Sequence, residues 1–316
     1  MLIMRSPKLL NYEIRPCKFV ERRLLLSSLY QITSSIKKQY QYIGFGGLTF
    51  TDFKLFHKEL NINTMYSIEG CFTPQKLEFN KPFSCIKILH GKSSQMLLKI
   101  DLNQPSIVWL DYDGELTMDI FTDINILFNS LPHGSIYIMS CNRQLQNNET
   151  EPQRPYTNEE FKDIFSGLVP FDIMDNCCAE INAPVTIKRM LYSYCCKVLH
   201  ERSKLDGNKL YFRPLYNIKY QERGGARMFT YGGIILENGY NEDNLYLNGF
   251  DFLNNENAFE IDIPNITHKE ALYLNQIIDI AQAEKEFIDK KIINEKDLVK
   301  YKRFYKYMPN FYDVRF

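Results

Sequence analysis

The first residues whose types and spacing suit a chemical role are a glycine-rich turn and a distant acid. The turn, Gly44-Phe45-Gly46-Gly47, directly follows an apolar run, and glycine lets the backbone approach a ligand closely. Glu69 lies roughly 20 to 25 residues further on, where a carboxylate accepts hydrogen bonds from ribose hydroxyls. Taken separately, the glycines also fit an ordinary tight turn and Glu69 a solvated strand end. Their joint spacing favours a nucleoside-binding site.

Acidic residues also stand at the end of a later apolar run. Asp111 and Asp113 flank Tyr112, and Asn142 ends the next run along the chain. In open α/β sheets ligands bind outside the carboxyl ends of the strands, so these side chains are expected to face one crevice. There they would hold a substrate amine or hydroxyl, provide a general base, or bind Mg²⁺. The alternative is a turn at Asp113, with Asp111 capping the next helix.

Cationic and imidazole side chains complete the candidates. Arg15 and Lys18 lie just before a helix predicted from about Phe19 to Ile36, where cations would clamp a carboxylate or phosphate of the substrate at the pocket mouth. A solvated helix face with local Glu–Arg pairing is the alternative. His90 follows the third apolar run, within reach of an adenine ring or a reacting group. Since a lone histidine is usually an ordinary polar residue, no catalytic triad is predicted.

Alternating apolar runs and amphipathic stretches predict βαβ units around a parallel sheet between residues 40 and 142. One helix, capped by Thr49 or Thr51, is expected to end near Leu60, and another covers Leu116–Leu131. The predicted strands are the run that begins at Tyr40, Thr64–Glu69, Ser84–Leu89, Ser106–Asp111 and Ser135–Ser140. The fold class is therefore α/β, with a Rossmann-like doubly wound and mostly parallel sheet.

The second half of the chain has a different pattern of polar and apolar residues. Residues 143–157 are polar and predict a surface loop, which two helices follow over Asn158–Phe165 and Val185–Leu205. Two β-like runs, Lys209–Tyr220 and Arg227–Leu236, then predict an antiparallel hairpin. Such a hairpin would complete the sheet.

These elements suggest three parts of the chain. An N-terminal helical segment over 1–39 is expected to cover the pocket, and the Rossmann-like domain runs over 40–237 with a helical insertion at 143–208. A partly helical appendage occupies 238–316. Its longest helix opens at Thr267 with the sequence of a capping box.

Charge and composition argue against several classes of function. Lys+Arg and Asp+Glu both total 38, so no net field attracts the chain to phosphate backbones or anionic membranes. No apolar stretch approaches the roughly 20 residues that span a bilayer, and the start of the sequence lacks a signal-peptide pattern. The 8 cysteines form no CxxC pair and predict reduced, packed thiols. We therefore expect a cytoplasmic protein without a membrane partner.

Four short motifs follow one another along the chain. They are Tyr-Ile-Gly-Phe-Gly-Gly at 42–47, Ser-Ile-Glu at 67–69, Trp-Leu-Asp-Tyr-Asp-Gly at 109–114 and Gly-Ser-Ile-Tyr-Ile at 134–138. In this order they resemble the class I S-adenosylmethionine (SAM) dependent methyltransferase superfamily. The sequence looks closest to a bacterial O-methyltransferase family, and the resemblance extends over most of the chain, from Asn11–Lys18 to the segment Arg227–Gly233.

The resemblance implies a role for each candidate. In the superfamily the glycine loop contacts the methionine moiety of SAM, the acid that ends the second strand holds the ribose, and the end of the third strand flanks adenine. By similarity these roles fall on the turn 44–47, on Glu69 and on the region of His90. The end of the fourth strand faces the transferring methyl group. This makes Asp111 a candidate for cofactor binding and catalysis, and Asp113 for catalysis.

The chain departs from the superfamily pattern in three places. Tyr42-Ile43 replaces the usual acidic residue before the glycine loop, and the fourth strand lacks the Asn/Asp-Pro-Pro-Tyr motif of amino-group methyltransferases. The latter disfavours N-methylation of bases. A metal-dependent relative would place an Asp-Asn pair after the fifth strand, but here Cys141 precedes Asn142. SAM is thus the expected cofactor, and Mg²⁺ is a disfavoured addition.

The leading hypothesis is methyl transfer from SAM to an oxygen or nitrogen of a small-molecule or nucleotide-containing acceptor, catalysed mainly by alignment. One alternative is a catalytically inactive nucleotide-binding or sensor subunit, because a fold does not establish a function. An NAD-linked oxidoreductase is disfavoured, since Thr49 stands where a third glycine is needed. The basic and aromatic segment Tyr301–Tyr312 suits a nucleic-acid-modifying methyltransferase or, as we prefer, a helix packed on the core.

Overall fold

The computed structural model describes residues 15–147, 150–207, 209–222 and 225–308. Its helices are α1 (Pro16–Ile36), α2 (Thr51–Leu60), α3 (Pro74–Asn80), α4 (Ser93–Met96), α5 (Met118–Ser130), α6 (Asn158–Phe165), α7 (Ala183–Asp206), α8 (His268–Ile277), α9 (Ala281–Asp289) and α10 (Glu295–Phe304). Its strands are β1 (Gln41–Gly44), β2 (Met65–Glu69), β3 (Ile86–His90), β4 (Ser106–Glu115), β5 (Ile136–Asn142), β6 (Gln146–Asn147), β7 (Arg154–Pro155), β8 (Leu210–Gln221), β9 (Arg227–Glu237) and β10 (Phe259–Ile261). Within the described ranges, no helix has the length and apolar character needed to cross a membrane.

Eight strands form one mixed sheet in the order β10-β8-β9-β5-β4-β1-β2-β3. Neighbouring strands are parallel except around β9, which runs antiparallel to both β5 and β8. The chain order reverses between β1 and β4, so the connections that follow these strands leave on opposite faces and open a crevice at the carboxyl ends. This sheet, its hairpin and the helices that follow confirm the predicted Rossmann-like α/β class.

The sheet is covered on both faces, as parallel strands require. In β4, Val108 and Leu110 pack in a core with α5, α6 and α7, whereas Ile107 and Trp109 pack in a second core with α1 and α2. All four side chains are at most 1% exposed. An uninterrupted apolar run therefore serves both faces of β4, and its polar continuation from Asp111 onward reaches the carboxyl edge of the sheet.

Helix α1 buries charged as well as apolar side chains. Val20 and Leu24 are among the apolar residues that pack beneath the sheet. The first turns of the same helix bury Lys18, Glu21 and Arg22. The alternative prediction of a solvated charged face is therefore wrong for these three residues, because α1 lies against the sheet over its first turns as well.

The end of β4 differs from one of the sequence-based alternatives. The strand continues through Asp113 to Glu115, so no turn forms at Asp113, and α5 begins only at Met118. Asp111 consequently does not cap that helix. Within the polar segment 143–157, predicted as a loop, the structure also contains the short β6–β7 ribbon. The predicted hairpin is confirmed as β8 and β9, whose connecting residues 223 and 224 lie outside the described residues.

Two helix starts were predicted from sequence, with different outcomes. Neither Thr49 nor Thr51 caps α2, because the N-cap position is Phe50 in a left-handed conformation. The two threonine hydroxyls lie 2.9 Å apart and bond each other instead. The capping box at the start of α8 is confirmed, with reciprocal bonds between Thr267 and Glu270.

The described part of the chain beyond β9 contributes one strand and three α-helices. β10 joins the edge of the sheet beside β8, while α8, α9 and α10 enclose a small core of their own. Tyr301 Oη donates to the Ala271 carbonyl at 2.9 Å, and the Arg303 guanidinium lies 4.1 Å from the centre of the Phe259 ring. These contacts agree with a terminal helix packed on the core. Residues 309–312 of that predicted segment lie outside the described residues, and the division into domains stays a prediction.

Candidate functional site

The turn that follows β1 is held by the acid that ends β2. Gly47 has a φ of 58°, in the left-handed region, and its backbone N–H donates to Glu69 Oε1 at 2.5 Å. Glu69 is only 6% exposed, so the alternative of a solvated strand end is wrong. Burial raises the pKa of Glu69 to about 7, with a further increase from Asp113, against the lowering effect of the Gly47 hydrogen bond. The spacing seen in the sequence thus corresponds to a direct contact.

The other two glycines are required by the protein's own packing. A Cβ atom on Gly44 would lie 2.6 Å from Tyr42 Oη and 2.9 Å from the Trp109 carbonyl oxygen. On Gly46 it would lie 2.5 Å from Ser67 Oγ. Neither position has room for a methyl group, because the neighbours are packed at interior density. Close approach of a ligand to this backbone stays a prediction.

The carboxyl ends of β1, β2 and β4 meet in one crevice. Glu69, Asp111 and Asp113 all line it beside the glycine turn. Its other lining residues are Arg22, Phe45, Thr49, Thr51 and Asp52. The structure therefore brings together the nucleoside-binding and acidic candidates that the sequence distributes over three strands. This is the switch point of the sheet, where ligands of such folds bind.

The two acids of β4 have different surroundings. Asp111 Oδ2 lies 2.9 Å from Lys18 Nζ, whereas Oδ1 is buried and has no hydrogen-bond partner among the described residues. Asp113 keeps an exposed face at the rim. Its carboxyl is still partly desolvated, and this burial, followed by repulsion from Asp111, raises the pKa of Asp113 to about 6 against the influence of Lys18 and Arg15. Asp113 is thus a carboxylate that titrates close to neutral pH.

Helix α1 supplies buried charges next to the crevice. Lys18 Nζ lies 2.8 Å from Glu21 Oε2 as well as beside Asp111. Burial would lower the pKa of Lys18, but the two carboxylates outweigh it and the pKa is raised. The predicted place of Lys18 at the pocket mouth is wrong, because its side chain has no exposed surface. Arg15 lies at the N-cap of α1, and its contact with substrate stays a prediction.

Tyr112 and His90 are among the predicted site residues that lie outside the crevice lining. Tyr112 packs on the α5 side of the sheet, and its hydroxyl donates to Asp123 Oδ2 at 2.7 Å. His90 ends β3 near the sheet edge, with Nε2 2.9 Å from the Phe72 carbonyl oxygen. Both side chains therefore already have a protein partner. Their predicted contacts with acceptor and adenine remain predictions.

The Mg²⁺ alternative relied on Asn142 joining the acids of β4. Asn142 Oδ1 instead accepts a hydrogen bond from the Gln144 backbone N–H at 3.1 Å. In the ranges that the structure describes, no group of three or more His, Cys, Asp or Glu residues could hold a metal ion. Treatment with a chelator tests the Mg²⁺ alternative directly.

One charged pair in the crevice, between Arg22 and Asp52, was not predicted from the sequence. Arg22 Nε donates to Asp52 Oδ1 at 2.5 Å, and both residues are buried. The sequence offers only a weak signal for this pair, namely one charged residue within the apolar pattern of each of the two helices. Because 30 residues separate Arg22 from Asp52 along the chain, only the fold places these two residues side by side.

Over residues 10–316 the sequence matches the model of a family described as "Putative O-methyltransferase". The chain belongs to this O-methyltransferase family. The match confirms the resemblance to SAM-dependent methyltransferases that the four motifs indicated, and it spans the glycine turn, Glu69 and both acids of β4. No curated protein matches the sequence.

Solved structures similar to this family member include several methyltransferases. Human N-acetylserotonin methyltransferase in complex with SAM is 9% identical with a TM-score of 0.35, over 68% of this chain and 51% of that one. An O-methyltransferase family protein from Burkholderia thailandensis is 8% identical with a TM-score of 0.34, over 69% of this chain and 57% of that one. A Haloferax volcanii complex of a methyltransferase with the Trm112 methyltransferase activator is 12% identical with a TM-score of 0.33, over 70% of this chain and 94% of that one. The chain spans about half the length of the human enzyme.

Proposed function

We propose that this O-methyltransferase family member uses SAM to methylate an oxygen atom of a small-molecule or nucleotide-containing acceptor. The observation that carries the proposal is the shared crevice, in which Glu69, Asp111 and Asp113 line the space beside the glycine turn. Its position at the switch point of the sheet is where nucleotide ligands bind in such folds. Family membership supports oxygen as the methylated atom.

The chemistry of the crevice complements SAM. Ionised Glu69 accepts hydrogen bonds from ribose hydroxyls in this proposal. The buried Oδ1 of Asp111 lacks a hydrogen-bond partner among the described residues, which is costly unless a donor reaches it, and the ammonium of the methionine moiety is such a donor. A crevice lined by four carboxylates, of which Asp52 is paired with Arg22, also favours a ligand that carries ammonium and sulfonium charges.

In this proposal the two acids of β4, Asp111 and Asp113, have different roles in the reaction. Bound SAM supplies a methyl group activated by its sulfonium centre. Asp113, whose pKa is raised to about 6, is suited to accept the hydroxyl proton as the acceptor oxygen gains the methyl group. Asp111 is held by Lys18 and would orient the reactants. Alignment in a crevice of fixed geometry supplies most of the rate in this proposal.

A small acceptor is favoured over a nucleic acid. In the basic segment Tyr301–Tyr312, Lys302 is already paired with Glu284 at 2.9 Å, and Lys300 just before the segment is paired with Asp262 at 2.7 Å. The whole sequence has zero formal net charge. Binding to a phosphate backbone would need a local cationic surface, and these ion pairs reduce the positive charge that the segment presents.

Calorimetric titration tests the proposal. SAM and S-adenosylhomocysteine (SAH) should bind, NAD and ATP should not, and Glu69→Ala should weaken both of the former. Binding of NAD without binding of SAM would overturn the proposal. Release of SAH is then measured over a panel of small hydroxylated acceptors. If SAM binds but no acceptor yields a methylated product, the alternative of a catalytically inactive nucleotide-binding subunit would be favoured.

A further inference from the structure

Lys18 occupies an environment that is unusual for lysine. It lies in the first turn of α1 with no exposed surface, and its ammonium lies 4.5 Å from the centre of the Trp109 ring. Glu21 and Asp111 approach that ammonium to 2.8 and 2.9 Å. A buried charge is tolerated only when opposite charges compensate for lost hydration. The two carboxylates supply that compensation from two different elements, Glu21 from α1 and Asp111 from β4.

The ion pair belongs to a closed ring of contacts. Trp109 Nε1 donates to Ser140 Oγ at 3.0 Å, and the hydroxyls of Ser140 and Thr230 lie 2.7 Å apart. The Thr230 hydroxyl donates to Glu21 Oε1. Glu21 then contacts Lys18, whose ammonium returns to the Trp109 ring. The ring ties α1 to β4, β5 and β9 directly beside Asp111, and every member is buried.

We infer that Lys18 is a positioning residue that acts on bound ligand through Asp111. Glu21 holds the lysine ammonium in place, and the ammonium in turn holds Asp111 Oδ2. This leaves Asp111 Oδ1, buried and without a partner among the described residues, as the acceptor for a donor on the ligand. The inference rests on the proposed function, because it requires a SAM-like ligand at Asp111.

A purely structural ion pair that anchors α1 would make the same contacts, so the test must remove the Lys18 charge without changing the net charge of the cluster. Lys18→Met alone leaves Glu21 and Asp111 facing each other, which is expected to destabilise the fold. The double variant Lys18→Met/Glu21→Gln removes one charge of each sign. Tyr216→Phe is the matched control, because it deletes a 3.0 Å bond between Tyr216 Oη and Ser28 Oγ that also anchors α1.

Trp109 provides a direct reporter, since the sequence contains a single tryptophan. Each variant is checked by circular dichroism and titrated with SAH, followed by calorimetry and tryptophan emission. We expect the wild type and Tyr216→Phe to bind SAH with equal affinity and to show the same change in emission. The double variant should fold, bind SAH about tenfold more weakly or worse, and lose the emission change.

The outcomes separate the two proposals. A folded double variant with wild-type SAH affinity would overturn the positioning role and leave Lys18 as a structural ion pair. A wild type that binds no SAH would overturn the proposed function, and the positioning role with it. If the double variant does not fold, Thr230→Val replaces it, because this change keeps both charges and removes the one hydroxyl that bonds Glu21 and Ser140. Unchanged SAH affinity and emission in Thr230→Val would then reject the inference.

Discussion

Gly47 and Glu69 are joined by a 2.5 Å hydrogen bond from a backbone N–H to a carboxylate, although Gly47 follows β1 and Glu69 ends β2. The bond fixes the turn after β1 to the end of β2. One carboxylate therefore shapes the glycine turn and also lines the crevice. Because burial raises the pKa of Glu69 to about 7, its charge changes close to physiological pH.

Replacement of Glu69 by Gln should separate stability from ligand binding. The amide oxygen can still accept the Gly47 bond, but the buried charge is gone. Since the folded state binds the Glu69 proton more tightly than the unfolded chain, Glu69 lowers stability as the pH rises from 4.5 to about 7. Above that pH, Glu69→Gln should raise the free energy of unfolding by roughly 1–3 kcal/mol and weaken SAH binding about tenfold. Thermal unfolding and calorimetry measure the two effects, and a lower unfolding temperature would contradict this account.

The affinity for SAH should itself depend on pH. Ribose hydroxyls donate to the ionised carboxylate, so protonated Glu69 must lose its proton on binding. The affinity should therefore increase as the pH rises through about 7 and level off above it. Calorimetry in buffers of different ionisation enthalpy should detect proton release on the acidic side. The same dependence in Glu69→Gln would show that another group is responsible.

Asp113 should affect turnover more than cofactor affinity. A general base must be deprotonated, so the rate is expected to rise with pH through about 6, where the pKa of Asp113 lies. Asp113→Asn should lower the turnover number about 100-fold. Its SAM affinity should change by less than about threefold. Asp119→Asn, an exposed acid of α5, is the control. Equal loss of SAM binding and turnover in Asp113→Asn would reject this division of roles.

Gly46→Ala should damage the turn. The added methyl group would lie 2.5 Å from Ser67 Oγ and 2.7 Å from the Phe50 ring, so the turn must move. Overpacking of this kind typically costs about 1–3 kcal/mol, and we expect SAH binding to weaken as well. Gly249→Ala is the matched control, because nothing lies within 4 Å of the added atom. Equal unfolding temperatures for the two variants would disprove the packing argument.

Chelation should leave the activity unchanged. The proposed chemistry uses carboxylates and alignment, and Asn142 is bonded to the backbone of Gln144. Turnover measured before and after treatment with EDTA should therefore agree. A loss that added Mg²⁺ restores would establish the metal-dependent alternative.

The sequence by itself determined the order of the elements and most of the acids that line the crevice. Strands buried on both faces must be apolar throughout, so β1, β2, β4 and β5 are visible as apolar runs. Ligands of such sheets lie at strand ends, which is why Glu69, Asp111 and Asp113 could be named in advance. Short helices such as α3 and α4 carry too few residues for a periodic signal and were not predicted.

Only the tertiary structure decided which charges are buried and what each one contacts. In the sequence, Lys18 and Glu21 belong to a charged stretch that equally fits a solvated helix face. Their burial depends on partners from distant strands, Asp111 on β4 and Thr230 on β9. Local periodicity cannot encode such pairs, because they depend on the order of strands in the sheet. The raised pKa of Glu69 likewise arises from desolvation, which only the packed surroundings produce.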